Sequence, residues 1–456
     1  MFRYTLENGL EIFVAENSAA PLAYIEIGVR AGAVTQTPET AGLFHLYEHM
    51  LFKGNAKYAN QVEVTDAMSK MGEINRNGST GLDLVNYYFT IPSSQVRNGL
   101  EFWSYAIRTP LLNEVELENE KNVVLSEINA DFTNPGKIRR SGLNKVLFPA
   151  GPWRLDPGGD PNVVKNATPA DLKKMQQLYY VPRNSAIFVG GDVHHEDVYK
   201  WVKEIYGDWK NPQGTVEFEP VPTKTPFNKL QKKIYVNPGS SDSMLQAGLY
   251  LRGPDGETDA EDTYAADVWS KLVQNPSEVF ATTFVEEKSL FIPDSDYVAG
   301  SYVTARASGL IAIATAMMNQ GELNPAEKVE KFYSVIQKKL VPIMQDKEKF
   351  FRPGILNSIK QQLEDSRVYQ LETATSILSN LSSLWSSCGS DYFFGYDKNI
   401  GNVTEEDVVA FVNKYISGKN GVLLVTVSPG IWAKYGEEFK KNGFSEITSE
   451  NAFWNK

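Results

Sequence analysis

An internal repeat limits the folds that this chain can adopt. Residues 166–193, NATPADLKKMQQLYYVPRNSAIFVGGDV, are similar to residues 402–429, NVTEEDVVAFVNKYISGKNGVLLVTVSP, at a constant offset of 236 positions. In each copy a threonine is placed to cap a helix of about a dozen residues, and an apolar strand follows after a turn. The identical residues at this offset are Asn166, Thr168, Asp171, Tyr179, Asn184 and Val189 in the first copy and Asn402, Thr404, Asp407, Tyr415, Asn420 and Val425 in the second. The repeat predicts two domains of the same fold.

The two halves also begin alike, with apolar strand patterns. We expect LEIFVAE (10–16) to pair with IEIGVRAG (25–32), and KKIYVNP (232–238) to pair with LQAGLYLRG (245–253). Strands mixed with long helices, joined as hairpins rather than in strict βαβ alternation, predict an α+β fold. Each half is then an αβ sandwich, an antiparallel or mixed sheet with helices packed on it.

A polar stretch rich in proline separates the halves. Residues 211–231, NPQGTVEFEPVPTKTPFNKLQ, contain four prolines, which is typical of a connection between domains. We therefore predict an N-terminal domain over 1–215, a linker over 216–231 and a homologous C-terminal domain over 232–456. Duplicated domains often enclose a cleft in which ligands bind.

Charge and hydropathy exclude two classes of partner. The formal net charge is −11, whereas phosphate contacts need clustered Lys and Arg, so we expect no nucleic-acid partner. No apolar run approaches the roughly 18–20 residues of a membrane span. The first residues, MFRYTLENGLEIFVAEN, have a strand-like alternation and no signal-peptide features. We expect a cytoplasmic protein, or a periplasmic one if a signal peptide has been removed.

The stretch AGLFHLYEHMLFKGN, residues 41–55, has the pattern of a helix with three polar groups on one face. At about 100° per residue, Glu48 and His49 lie about 60° and 40° to either side of His45. Histidines one turn apart can bind one metal ion, and the glutamate can hold a metal-bound water as general base. The order H-x-x-E-H is the inverzincin signature. Two core histidines can also share this spacing by chance.

Catalytic zinc needs a third protein ligand and an open position. His194 and His195 are poor candidates, because adjacent side chains diverge and both are expected to be solvated in a turn. The helical stretch 116–132, ELENEKNVVLSEINADF, places Glu120 and Glu127 about 20° apart around the helix axis. One of them can bind zinc while the other orients a histidine. The spacing does not decide which.

Together these motifs resemble the pitrilysin, insulin-degrading enzyme and mitochondrial processing peptidase family of zinc metallopeptidases. The resemblance covers NGLEIFVAEN, GLFHLYEHMLFKGN, ENEKNVVLSEI and the stretch from GPWRLDPGGD to IFVGGDV. It implies that His45, His49 and Glu127 bind one zinc ion per chain. The domain over 1–215 would then be the zinc-binding peptidase domain, and the domain over 232–456 would have no metal site. It also implies that Glu48 is the catalytic general base and Glu120 a supporting carboxylate of the catalytic site. Two such pairs of sandwiches would close around a peptide chamber, of which this chain is half.

The resemblance further implies an edge strand that pairs with the substrate peptide. In INRNGSTGLDLVNYYFTI, residues 74–91, Asn77, Gly78 and Ser79 take the places of the family's Asn-Ala-x before a threonine. Glycine replaces alanine in this pattern. The segment NRNGST is also a good hairpin-turn sequence by itself.

One segment of the second half departs from the family pattern. Single-chain members usually carry an arginine and a tyrosine seven residues apart in a segment resembling LREKxGLAY. Here FVEEKSLFI, residues 284–292, has Val285 and Ile292 at those positions, and neither side chain donates a hydrogen bond. The family includes two-subunit members in which one chain brings zinc and the other the Arg/Tyr pair. We therefore expect this chain to be the zinc-bearing subunit of a heterodimer, with a homodimer as the alternative.

The sequence thus predicts a subunit of a zinc-dependent endopeptidase that cleaves peptides or unfolded proteins. A zinc-bound water activated by Glu48 would attack the scissile carbonyl. The alternative is a non-catalytic structural or peptide-binding subunit of the same fold. Such members typically lose a ligand or the base, whereas this chain keeps His45, Glu48, His49 and Glu127.

Overall fold

The computed structural model describes residues 1–149, 156–212, 227–306 and 309–454. They form two compact units. The first unit comprises described residues of 1–130, 156–212 and 368–393, and the second comprises those of 131–149, 227–367 and 394–454. Residues 216–226 of the predicted linker lie outside the described residues, and the boundaries 1–215 and 232–456 remain predictions.

The first unit is built on a six-stranded mixed sheet. Its strands are β1 (Phe2–Thr5), β2 (Glu11–Glu16), β3 (Leu22–Arg30), β4 (Asn75–Thr80), β5 (Leu84–Pro92) and β6 (Ser185–Gly191). Their order across the sheet is β1-β2-β6-β3-β5-β4. Only the pairing of β2 with β6 is parallel. Strand β4 is therefore one of the two edges of this sheet.

The second unit contains a sheet of the same design. Its strands are β7 (Gln231–Val236), β8 (Met244–Arg252), β9 (Val298–Val303), β10 (Leu310–Met318), β11 (Val422–Val427) and β12 (Ser445–Ile447). Their order is β12-β7-β11-β8-β10-β9, so five strands repeat the arrangement of the first sheet. The sixth differs, because β1 runs antiparallel to its neighbour whereas β12 runs parallel. The predicted α+β class with two similar sheets is confirmed.

Helices cover these sheets. In chain order they are α1 (Leu43–Leu51), α2 (Gln61–Lys70), α3 (Val96–Arg108), α4 (Glu114–Thr133), α5 (Pro135–Leu147), α6 (Pro161–Asn166), α7 (Pro169–Tyr179), α8 (His195–Tyr206), α9 (Ala260–Val273), α10 (Val279–Glu286), α11 (Pro325–Val335), α12 (Val341–Gln345), α13 (Lys347–Phe350), α14 (Ile355–Gln370), α15 (Ala374–Ser387), α16 (Ser390–Asn402), α17 (Glu405–Tyr415) and α18 (Pro429–Lys441). Among the described residues, none of these helices has the length and apolar character of a membrane span.

The repeated segment has the same local structure in both units. Thr168 precedes α7 and Thr404 precedes α17, and each forms a capping box with the aspartate three residues later. In a capping box the two side chains satisfy each other's backbone N–H groups, which fixes where a helix begins. The predicted helix caps are confirmed, and so are the apolar strands that follow, β6 and β11.

The predicted pairing of the first two long strands in each half is wrong. Strand β6 lies between β2 and β3, and β11 lies between β7 and β8. Every residue of β6 and of β11 is buried. A strand that is apolar on both faces is stable in the interior of a sheet that is covered on both sides. The last long strand of each half therefore inserts between the first two.

Each sheet is covered on one face by a helix from the other half of the sequence. Leu378 and Trp385 of α15 belong to one buried cluster with Phe188 of the first sheet. Leu143 of α5 belongs to a cluster with Tyr250 of the second sheet. Adding the repeat offset of 236 to the residues of α5 gives 371–383, a range that overlaps α15. The two helices are therefore equivalent elements of the repeat, and each covers the sheet of the other half. Each unit therefore needs residues from both halves to cover its sheet.

Candidate metal centre

Helix α1 carries both histidines of the motif and is anchored by its apolar face. Leu43, Phe44, Leu46 and Met50 are all at most 4% exposed, as the sequence pattern predicts. Gly42 precedes the helix with a φ of 94° in the left-handed region, where glycine is favoured. The helix is thus held firmly while its polar face remains partly accessible.

Helix α4 carries the two glutamates. It spans Glu114–Thr133, which confirms the helix predicted over 116–132. Val124 and Ile128 are buried, and Glu120 is only 8% exposed. Glu127 is exposed. The two glutamates therefore lie in different surroundings, although the sequence placed them on one side of the helix.

His45, His49 and Glu127 converge. Glu127 Oε2 lies 3.5 Å from His45 Nε2 and 3.7 Å from His49 Nε2. One ligand atom from each residue lies within 4.8 Å of the others. Tetrahedral ligands about 2.0–2.1 Å from zinc stand roughly 3.4 Å from one another, so both carboxylate distances suit one shared ion. Two imidazoles and a carboxylate are also a donor set of catalytic zinc sites.

Glu120 lies behind His49 rather than in this cluster. Its Oε2 is 3.0 Å from His49 Nδ1, and its Oε1 is 2.6 Å from Lys53 Nζ. A hydrogen bond at Nδ1 keeps the proton there and leaves Nε2 as the ligand atom. The geometry thus separates two glutamates that the spacing left equivalent. Lys53 is not among the site residues predicted from the sequence, although its position four residues after His49 was an available signal.

Glu48 lies next to the edge strand β4. Thr80 Oγ1 donates a hydrogen bond to Glu48 Oε2 at 2.8 Å. Burial raises the pKa of the Glu48 carboxyl group, while the hydrogen bond from Thr80 and the nearby His49 oppose that rise. A carboxyl group with a raised pKa is suited to take up and release a proton. Thr80 is the threonine of the predicted edge-strand pattern, but its contact with Glu48 is not predicted from the sequence.

The segment NRNGST forms β4 and not a hairpin turn. Asn77, Gly78 and Ser79 pair with β5 on one side. An edge strand offers backbone N–H and C=O groups on its other side. A Cβ atom at Gly78 would lie 3.0 Å from Glu48 Cγ and Oε1, so the strand passes very close to that carboxyl group.

A cavity of about 370 Å³ opens beside these groups. Its lining comprises Glu48, His49, Phe52, Lys53, Gln61, Thr65, Met68, Arg76, Asn77, Gly78 and Glu120. It is bounded by α1 and α4 on one side and by α2 and β4 on the other. The cavity is large enough for a side chain of a peptide lying along β4.

The remaining histidines lie outside the cluster. His194 is the exposed residue that precedes α8. His195 is not simply solvated as predicted, because its ring stacks on Phe2 with centroids 3.5 Å apart. The Tyr4 hydroxyl group also hydrogen bonds to His195 Nδ1. His195 therefore helps to attach β1 to α8.

The segment expected to carry an Arg/Tyr pair lies in the second unit. Val285 is in the last turn of α10, and Ile292 is 8% exposed. Both side chains are apolar. At these two positions the chain therefore offers no side-chain hydrogen-bond donor.

A duplicated αβ fold with two histidines and a glutamate converging on one point defines a zinc-peptidase-like class of protein. Comparison with family models agrees. The model described as insulinase (peptidase family M16) matches residues 12–152, and the model described as the peptidase M16 inactive domain matches residues 166–363. The chain belongs to the M16 peptidase family.

Curated relatives and solved structures are similar over large parts of the chain. Zinc protease PqqE of Helicobacter pylori is 26% identical over 232 residues, 50% of this chain and 50% of that protein. A probable mitochondrial-processing peptidase subunit beta of Arabidopsis thaliana is 26% identical over 205 residues, 44% of this chain and 38% of that protein. The chain thus spans half or less of the length of these relatives.

The crystal structure of the first half of the periplasmic protease PqqL from Escherichia coli has the same fold. It superposes with a TM-score of 0.74 over 95% of this chain and 93% of that chain, at 16% identity.

Proposed function

We propose that this chain is the zinc-bearing subunit of an endopeptidase that cleaves peptides or unfolded proteins. One observation carries the proposal: His45, His49 and Glu127 bring three ligand atoms within 4.8 Å of one another, beside Glu48 and an open cavity.

In this proposal His45 Nε2, His49 Nε2 and a Glu127 carboxylate oxygen hold one zinc ion. Zinc, when bound, acts as a Lewis acid that acidifies water and polarises the scissile carbonyl. Glu120 accepts the Nδ1 proton of His49 and so orients that ring. Lys53 in turn balances the charge of Glu120.

Glu48 performs the proton transfers. Thr80 holds Glu48 Oε2, so Oε1, which faces β4, takes the proton of the attacking water. The protonated carboxyl group then donates that proton to the leaving amine nitrogen. Burial raises the pKa of Glu48, which makes its carboxylate a stronger base toward the water proton.

The peptide binds by adding a strand to β4. Asn77, Gly78 and Ser79 would pair with its backbone, and this pairing tolerates many side-chain sequences. Because Gly78 lies against Glu48, a peptide on the open edge of β4 passes close to the general base. The absence of a Cβ atom at Gly78 leaves room for this approach.

We propose a heterodimer with a homologous subunit that supplies the Arg/Tyr pair. One observation supports it: Val285 and Ile292 are apolar, so neither side chain can donate a hydrogen bond to a substrate. The structural neighbour in Escherichia coli is the first half of a longer protease. That neighbour is described as periplasmic, so the periplasm is the compartment to test first, ahead of the cytoplasm.

The second candidate is a non-catalytic structural or peptide-binding subunit. Its support is the match of 166–363 to a model described as an inactive domain. A peptide-binding subunit would need β4 and the cavity but would not need Glu48 as a base, and a purely structural subunit would need none of them.

The experiment combines metal analysis with peptide cleavage. The wild-type chain and a Glu48→Gln variant are loaded with zinc, and each is assayed alone and mixed with a candidate partner. We expect one zinc ion per chain in both, and cleavage only by the wild-type mixture. Cleavage by Glu48→Gln would refute the mechanism, and a wild type without bound metal would refute the site. Equal cleavage without the partner would refute the heterodimer.

A further inference from the structure

A buried carboxyl group on β3 is linked by side-chain hydrogen bonds to the edge strand β4. Glu26 is completely buried. Asn86 of β5 donates from Nδ2 to Glu26 Oε1 at 2.7 Å. Ser79 of β4 donates from Oγ to Asn86 Oδ1 at 2.6 Å. Three neighbouring strands are therefore tied by side chains as well as by backbone hydrogen bonds.

The same carboxyl group is held from its other side. The Tyr24 hydroxyl group donates to Glu26 Oε2 at 2.8 Å. Ser382, on the exchanged helix α15, lies near the same carboxyl group. Glu26 thus lies between the hydrogen bonds that lead to β4 and the helix that the second half of the sequence contributes to this unit.

This carboxyl group lies in apolar surroundings. The face of the sheet that meets α15 carries Phe13, Tyr24 and Phe188 in one buried cluster. Burying a carboxyl group in such a place is unfavourable unless its oxygens are hydrogen bonded, and a leucine would fill the space without that cost. Satisfied polar networks of this kind specify one arrangement of the groups they join.

The hydrogen bonds also have a fixed direction. Glu26 Oε1 accepts the bond from Asn86, so the Asn86 amide turns its Nδ2 group toward Glu26. Its Oδ1 then faces β4, where the Ser79 hydroxyl group donates to it. Glu26 thereby determines the orientation of Asn86, and Asn86 determines the position of Ser79.

Ser79 lies between the two residues of β4 that contact Glu48. Successive residues of a strand point to opposite faces of the sheet, so Gly78 and Thr80 share one face and Ser79 points to the other. Thr80 donates to Glu48, and Gly78 lies against it. An edge strand has a backbone partner on one side only, so an anchor at Ser79 restricts both neighbours.

We propose that Glu26 is a positioning residue for peptide binding, acting through Asn86 and Ser79 to hold β4 against Glu48. This inference rests on the proposed peptidase function, because it assumes that β4 receives the peptide. Loss of Glu26 should loosen β4 and weaken peptide binding more than it slows the proton transfers of Glu48.

The experiment measures backbone amide exchange in the full chain for three variants. Glu26→Leu removes the acceptor, and Glu26→Gln keeps a side chain that can bond to Asn86. Tyr24→Phe is the matched control. It removes a hydrogen bond to the same carboxyl group but keeps the hydrogen bonds that link Glu26 through Asn86 to Ser79 of β4. In Glu26→Leu we expect the amides of β4 to exchange at least about tenfold faster, with β2 and β6 unchanged. Glu26→Gln and Tyr24→Phe should keep the wild-type rates in β4.

Kinetics form the second readout wherever the wild type cleaves peptides. Glu26→Leu should raise KM roughly fivefold or more with a smaller change in kcat, and Glu26→Gln should restore KM. Unchanged exchange in β4, or faster exchange spread evenly over the sheet, would overturn the proposal. If Glu26→Leu does not fold, Ser79→Ala replaces it, and unchanged exchange in β4 of that variant overturns the proposal.

The exchange measurement does not need peptidase activity. A wild type that cleaves nothing refutes the proposed function, whereas the coupling of Glu26 to β4 is still tested by exchange. Zinc content gives a further check, because Glu26→Leu should bind one zinc ion as the wild type does.

Discussion

Lys53 and Glu120 form a short and largely buried ion pair, with Lys53 Nζ 2.6 Å from Glu120 Oε1. The other oxygen of the same carboxylate is 3.0 Å from His49 Nδ1. Glu120 therefore lies between a fixed cation and one of the proposed zinc ligands. Residues that orient a metal ligand in this way typically contribute 10- to 100-fold to metal affinity, as an order of magnitude.

Replacing Lys53 with methionine should weaken zinc binding about tenfold, because Glu120 loses the cation that fixes it. Competition with a chromophoric chelator measures the change. Lys57→Met is the control, since Lys57 pairs with the exposed Glu101 and does not contact Glu120. Equal affinities in the wild type and in Lys53→Met would show that the ion pair does not support His49.

Glu127→Gln should weaken zinc binding by more than the roughly 100-fold that outer partners contribute, because it removes a charged ligand of the ion itself. Glu118→Gln is the matched control on the same helix, since Glu118 is exposed and forms an ion pair with Lys121 on that helix. Metal analysis after dialysis distinguishes the two variants. Retention of stoichiometric zinc by Glu127→Gln would remove Glu127 from the ligand set.

The exchange of α15 predicts that residues 1–215 do not form a stable domain by themselves. Without α15 the face of the first sheet that carries Phe13 and Phe188 is exposed to water. We expect a fragment of residues 1–215 to bind a hydrophobic dye and to lack a cooperative thermal transition. A cooperative transition in this fragment would mean that α15 is dispensable.

A point substitution tests the same packing in the intact chain. Trp385 of α15 is 1% exposed and its ring lies 5.8 Å from that of Phe188. Trp385→Ala should lower the free energy of unfolding by about 3–5 kcal/mol, as large-to-small core substitutions do. Val62→Ala, at a residue that is 76% exposed, should change it by less than about 0.5 kcal/mol. Chemical denaturation, followed by far-ultraviolet circular dichroism, measures the free energy of unfolding of both variants without relying on the fluorescence of Trp385.

Local features of this protein could be predicted from the sequence, whereas the order of the strands in each sheet could not. The caps at Thr168 and Thr404, the apolar face of α1 and the helix of Glu120 and Glu127 all depend on residues within a few turns of one another. The order of the strands does not. Nothing near β2 or β3 indicates that β6, about 160 residues later, inserts between them.

In the candidate site, too, the spacing within each helix could be predicted from the sequence, whereas the packing between helices could not. Spacing along α1 brings His45 and His49 to one face, and spacing along α4 relates Glu120 to Glu127. Which glutamate meets the histidines depends on how α4 packs against α1, and that is decided by side chains far apart in sequence. The link from Ser79 through Asn86 to Glu26 is not predicted either, because it crosses three strands.

The pKa of Glu26 makes stability depend on pH in a direction that can be stated. Burial raises this pKa above the ordinary value of 4.5, although the hydrogen bonds from Asn86 and Tyr24 and the nearby Ser382 oppose the rise. The folded state therefore holds a proton at pH values where the unfolded chain has released it. As pH rises above about 4.5, the free energy of unfolding falls, and the fall ends once the pH exceeds the folded pKa.

Glu26→Gln removes this titration, so the variant should gain stability relative to the wild type as pH rises. The gain should be about 1.4 kcal/mol for each unit by which the pKa is raised. Urea denaturation of both proteins at several pH values between about 4 and 8 measures the difference. Asp66→Asn, at an exposed residue of α2, is the control and should show no comparable trend. A difference between wild type and Glu26→Gln that stays constant over this range would mean that Glu26 has an ordinary pKa in the folded protein.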